Sequence, residues 1–202
     1  MSFLKSYNSS VKIIIAIIIF GVTGWCGYTW TSCDNGIVDY NASRDKAAVK
    51  KMFHDDWQLL YFGDFDKMHE TDFNVDFMLD NRSSSQYYAC YDSILKVLRV
   101  SGKTVGFLAY YPKSPYWWHM HFIIVDKDHR GKGYASKLVQ YFIDDAVQRG
   151  AIKLTTFTRL MNTPARSVYE GKFKFKNVGD PYIGSEYEGK YLDLLLYPPR
   201  KK

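Results

Sequence analysis

The most constraining stretch of this 202-residue chain lies at residues 125–135, where an apolar strand pattern runs through Asp126-Lys127-Asp128-His129-Arg130-Gly131-Lys132-Gly133 straight into an amphipathic helix. A strand that turns through glycines into a helix builds an anion cradle. Successive backbone N–H groups at the helix N-terminus converge on one site, the helix dipole favours negative charge there, and Gly131 and Gly133 let an anion approach the main chain. A P-loop is excluded because its G-x-x-x-x-G-K-[ST] spacing is absent, and the G-x-G-x-x-G of dinucleotide-binding turns does not fit. An ordinary Gly-rich turn is the alternative.

The pattern around this turn predicts a mixed α/β domain over residues 36–199. Residues 37–40 read as a strand, and Ser43 offers an N-cap for a helix with Val49, Met52, Phe53, Trp57 and Leu60 on one face and Gly63 at its end. Residues 64–80 read as a second, acidic helical region. Residues 94–100 and 104–111 flank Ser101, Gly102 and Lys103 as a hairpin, followed by a turn between Pro112 and Pro115. Residues 117–126 read as a buried strand, and 134–149 as a helix with Leu138, Val139, Phe142, Ile143 and Ala146 at core spacing before Gly150. A strand at 153–158 precedes a last helix opened by Thr163 as N-cap and Pro164 as N1, and two further strands are expected at 174–178 and 187–197.

These elements resemble the GNAT acetyltransferase superfamily, whose cofactor motif [Q/R]-x-x-G-x-[G/A] is met by Arg130, Gly133 and Ala135. The N-x-x-A-x-x-x-Y order of Asn162, Ala165 and Tyr169 extends the likeness into the last helix. One departure is Tyr169-Glu170-Gly171-Lys172-Phe173 in place of the family's Tyr-Glu-x-x-Gly-Phe, which predicts a reshaped helix end. The resemblance implies a mostly antiparallel sheet with splayed central strands and flanking helices. It also implies acetyl-CoA as cosubstrate, with its pyrophosphate on Arg130, Gly131, Lys132, Gly133, Tyr134 and Ala135. Main chain at Ile124 and Val125 would hold the pantetheine arm and polarise the thioester carbonyl, and Asn162 would bond cofactor or substrate near the splay. Tyr169 takes the place of the general acid that protonates the departing thiolate. Its alternative is a core tyrosine on a helix face, and for Asn162 a turn before Thr163.

An amine nucleophile must shed a proton, and His119, on the strand leading to Val125, takes the position where histone-modifying relatives carry a glutamate base. His121 follows on the same strand. The pair could instead be structural, and without a third ligand it does not make a metal site. The acids at 64, 66, 70, 72, 76 and 80 suit a cationic amine acceptor, or form a solvated face, and Tyr116, Trp117 and Trp118 either wall the acceptor site or pack. A GNAT-like module that binds acetyl-CoA without turnover is the second reading.

No charged residue occurs at 13–33, a length that matches a bilayer-spanning helix, after a tail at 1–12. Trp25, Tyr28 and Trp30 crowd one edge, as rings do at the headgroups. Trp25 before Cys26 and the missing A-x-A argue against signal cleavage. Lys5 and Lys12 oppose Arg44, Lys46, Lys50 and Lys51 across the segment, so positive charge does not choose the orientation, whereas an acetyl-CoA enzyme requires the domain on the cytoplasmic side. The net charge of +6 is half due to Arg200, Lys201 and Lys202, and no basic run interleaved with aromatics points to nucleic acid. Cys26, Cys33 and Cys90 lack the pairing or spacing of a disulfide framework or zinc site.

Overall fold

The computed structural model describes residues 35–61, 75–80 and 93–199. The expected anchor at 13–33 and most of the acidic region therefore lie outside the described residues. Among the described residues no helix is long and apolar enough to cross a membrane.

The strands are β1 (Gly36–Asp39), β2 (Ile94–Val100), β3 (Lys103–Ser114), β4 (Trp117–Val125), β5 (Lys153–Arg159), β6 (Lys176–Gly179) and β7 (Tyr191–Leu196). They form one sheet in the order β1-β2-β3-β4-β5-β7-β6, and among the described residues only the β4–β5 pairing is parallel. Among the described residues four helices, α1 (Ala42–Leu60), α2 (Val75–Leu79), α3 (Tyr134–Gln148) and α4 (Thr163–Arg166), accompany it. Alternation along the strands sorts the core into two layers. Leu108, Tyr110, Met120 and Leu154 meet Leu138, Val139 and Phe142 of α3 on one face. Val97, Phe107, Phe122 and Ile124 meet Val49, Phe53 and Trp57 of α1 on the other.

Several boundaries differ from the sequence expectation, each for a local reason. Asn41, not Ser43, precedes the first helical residue of α1, and the Ser43 hydroxyl donates to Asn41 Oδ1 at 2.7 Å. That helix stops at Leu60, before Gly63, where Tyr61 turns extended and stacks on Trp57 at 5.3 Å. β3 runs on through Pro112 because pairing with β2 ends at Tyr110↔Ile94, so an imino nitrogen there breaks no ladder on that side. Asn162 rather than Thr163 caps α4, accepting from Ala165 N at 3.3 Å. The altered run after Tyr169 is reshaped as expected: Ser167–Lys172 is a π-helical turn, closed by Phe173 N to Val168 O at 3.1 Å.

Asp45 ties α1 to the sheet. Its carboxylate is fully buried and accepts from Arg99 Nη2 at 2.7 Å, Thr104 Oγ1 at 2.6 Å and the Asn41 amide at 2.8 Å. Burial alone would raise its pKa, but these donors outweigh it and hold the carboxyl below its ordinary value. Its contribution to stability is thus present above the unfolded carboxylate range and fades as pH falls through the folded value. Asp45→Ala should cost about 3–5 kcal/mol in urea unfolding, because it strands the Arg99 guanidinium without its partner. A loss below about 1 kcal/mol would show that the pair adds nothing net.

Candidate active site at the splayed strands

β4 and β5 pair only from Trp117↔Lys153 to Met120↔Thr156, where Thr156 Oγ1 donates to Met120 O at 2.9 Å. Beyond that point they part, because each stays bound to its outer neighbour. β4 follows β3 to Val125↔Gly106, and β5 follows β7 to Arg159↔Tyr191. A β-bulge marks the parting. Ala109 faces Phe122 while Tyr110 faces Met120, so His121 is an extra residue in β4 that re-aims the strand.

The opening is a cleft of about 300 Å³. One wall is Ile123, Ile124 and Val125 of β4, the end is the glycine turn with Tyr134 and Ala135, and the other wall carries Asn162, Val168 and Tyr169. Gly131 and Gly133 take φ of 75° and 76°, the left-handed region that favours glycine, and a Cβ on either meets no protein atom within 4 Å. Space above both glycines is therefore open. The amides of residues 131–136 have no acceptor among the described residues, which is what a bound anion would satisfy. Before the turn, Asp126 Oδ1 accepts from Asp128 N at 2.9 Å and lies 3.1 Å from His129 Nδ1, fixing the 3₁₀ turn Lys127–His129.

Arg130 lines the cleft with the glycine turn, and its side chain also bonds to protein. Its Nε donates to Val125 O at 3.2 Å and its guanidinium pairs with Asp56 of α1. Lys127 reaches neighbouring Asp55 at 3.4 Å. The arginine thus straps the turn to α1, and a carboxylate lines the same cleft. Lys132 is exposed and does not line the cleft. Asn162 lines it and uses both ends of its amide, since its Nδ2 donates to Leu59 O at 3.3 Å while Oδ1 caps α4.

Behind the same wall a smaller depression opens toward the α1 face of the sheet, lined by His121, Phe157 and Arg159. Tyr169, Asn162 and Ile123 border both hollows. Tyr169 is buried, burial pushes its phenol pKa up, and its hydroxyl has no partner among the described residues. A phenol that keeps its proton between two hollows is placed to donate it.

His119 lies outside both hollows. It is buried under the paired part of β4 and β5, stacked on Phe157 at 5.6 Å with Nδ1 2.9 Å from Thr155 Oγ1. Trp117 Nε1, a donor only, gives its hydrogen to that same oxygen at 2.8 Å. Burial and the nearby Lys113 ammonium hold His119 well below the ordinary imidazole pKa, and the same causes hold His121 at about 3. Both rings are neutral at physiological pH. His121, which the sequence reading grouped with His119 as a structural pair too small for a metal site, is the imidazole that reaches the depression. Among the described residues no group of three His, Cys, Asp or Glu could hold a metal.

The acids Asp76 and Asp80 are engaged by Lys46 and Lys50 of α1, at 2.7 Å for Lys46 to Asp80 and 2.8 Å for Lys50 to Asp76. This part of the acidic region serves packing of α2 on α1. Trp118 packs in the core, and Trp117 lies under two lysines.

The family model described as acetyltransferase (GNAT) family matches residues 49–175, more than half of the chain. The protein belongs to that family of acetyltransferases. Among solved structures, an N-acetyltransferase from Staphylococcus aureus is similar at a TM-score of 0.57 and 20% identity, covering 80% of this chain and 96% of its own. A protein from Salmonella typhimurium, solved with its cofactor acetyl-CoA, gives 0.58 and 18%, with 82% and 95% covered. The ribosomal-protein-S18-alanine N-acetyltransferase from Escherichia coli gives 0.57 and 18%, again with 82% and 95% covered. At such identity the likeness is one of fold. Comparison with curated proteins gives no match.

Proposed function

We propose that the protein moves the acetyl group of acetyl-CoA to a primary amine by direct attack in a ternary complex, with no covalent enzyme intermediate. The observation that carries this reading is the run of amides at 131–136, without an acceptor among the described residues, opening onto a cleft that shares Tyr169 with the depression behind it. Acetyl-CoA supplies an activated thioester. The glycine turn and first turn of α3 hold negative charge, and the edge of β4 that faces away from β3 offers the main-chain N–H of Val125 to the developing oxyanion, while that of Ile124 points to β3. Tyr169 holds a proton for the leaving sulfur. Amine deprotonation needs a base or a water chain to one. His119 is the base the sequence selects, and His121, 6.3 Å from it between ring centroids, is the one that lines the depression beside Tyr169.

A thiol-release assay with acetyl-CoA and a panel of primary amines tests the proposal. Release with one amine class supports it. Tight acetyl-CoA binding with no release from any amine would favour the module that binds without turnover. The finer reading adds a membrane anchor at 13–33 with the domain on the cytoplasmic side, supported by the uncharged run and by where acetyl-CoA is made. External protease on intact cells, followed through a C-terminal tag, should leave the domain uncut until the membrane is permeabilised. Digestion in intact cells would overturn that topology.

A further inference from the structure

The α1 face of the sheet continues past the end of α1 as a floor built by β3, β4, β5 and β7. Register assigns its residues: Tyr111 opposes His119, His119 opposes Thr155, and Phe157 opposes Asp193, so all of these side chains share one face. The floor runs on from the acceptor-side depression through Phe157, whose ring lies 6.0 Å from His121.

A second β-bulge aims a lysine over this floor. Pro112 faces Trp118 while Ser114 faces Trp117, so Lys113 is the extra residue in β3. Its Nζ lies 4.8 Å from the centroid of the Trp117 ring, and Lys153 Nζ lies 3.8 Å from the same centroid. Two ammonium groups thus meet one indole. Neither lysine has a carboxylate within salt-bridge distance among the described residues. The acid that faces them, Asp193, is half-buried, and burial raises its pKa even against the field of both lysines. Lys113 is exposed as a residue, yet enough protein surrounds its ammonium to push its pKa down, and its charge is felt by both His119 and His121.

A partly desolvated ammonium with no bonded counter-ion among the described residues is disfavoured, and an anion placed beside it relieves that cost. Two cations against one weak carboxylate leave the floor net positive, which disfavours a second cationic group on the acceptor. We propose that Lys113, with Lys153 beside it, binds an anionic group of the acceptor, so that the amine acetylated here also carries a carboxylate or phosphate. This deepens the acetyltransferase reading and rests on it for the reacting amine.

The test pairs ω-amino carboxylates of two to six carbons with their own primary amides, and O-phosphoethanolamine with ethanolamine, against full-length protein in detergent. Turnover is read by thiol release, and equilibrium binding by NMR titration in the presence of CoA. The anionic member of at least one pair should be preferred by roughly tenfold or more in kcat/KM and in binding, with the preference falling as salt rises. The pair that responds separates a carboxylate from a phosphate. K113M should collapse the ratio toward one, and K113R should keep most of it. Equal use of neutral and anionic members, or a preference that survives K113M in a variant with wild-type melting, would overturn the proposal and return Lys113 to packing on Trp117. Anion-dependent binding without any thiol release would keep the site and overturn the transferase reading instead.

Discussion

Tyr169→Phe is expected to lower turnover by about a hundred- to ten-thousand-fold while acetyl-CoA binds nearly as before. The ring fills the wall between the two hollows and packs on Phe175 at 6.0 Å, contacts that phenylalanine keeps. What disappears is one proton. Burial pushes the phenol pKa up, so the hydroxyl is protonated across the working pH range, and no described residue competes for its hydrogen. The loss should therefore appear in kcat, with little change in acetyl-CoA affinity by calorimetry. Wild-type turnover in the variant would make Tyr169 a core residue of the wall and leave the leaving thiolate to solvent.

Gly133→Val should abolish measurable acetyl-CoA binding, or weaken it by at least about tenfold, in a protein that still folds. Two effects coincide at this position. A β-branched residue at φ 76° is strained by about 1–2 kcal/mol, and its side chain projects into the open space above the turn, where the anion must approach the amides. Gly150 supplies the control. It lies past the other end of α3 at φ 95°, and a Cβ there also meets nothing within 4 Å. Gly150→Val should show the same kind of strain in thermal melts and leave acetyl-CoA affinity alone. Equal affinity in the two variants would mean that the glycine turn does not approach the cofactor.

Some of this site was legible because its causes are local. Apolar spacing placed Val49, Phe53 and Trp57 on one helix face and Leu138, Phe142 and Ala146 on another, and each set is buried as that spacing requires. Gly131 and Gly133 follow from backbone sterics within a few residues. The departure after Tyr169 foretold a distorted helix end, and a π-helical turn is what presents the tyrosine. Charge was less legible. The acids at 76 and 80 read as either an acceptor-side charge or a solvated face, yet lysines of another helix hold them.

What the sequence by itself determined is the strand–glycine turn–helix cradle, the two amphipathic helix faces and the alternation that divides the sheet into two layers. These depend on dihedral preferences and on periodicities of two and 3.6 residues, which act between near neighbours in the chain. Only the tertiary structure decided where β4 and β5 part, because that follows from each strand's bonds to a different outer neighbour and from a bulge at His121. It alone turned Arg130 to Asp56, tied Asn162 to the end of α1, hid His119 under the paired strands and swung Lys113 over Trp117. Each of those placements is fixed by partners on another element, so no local pattern in the chain encodes it.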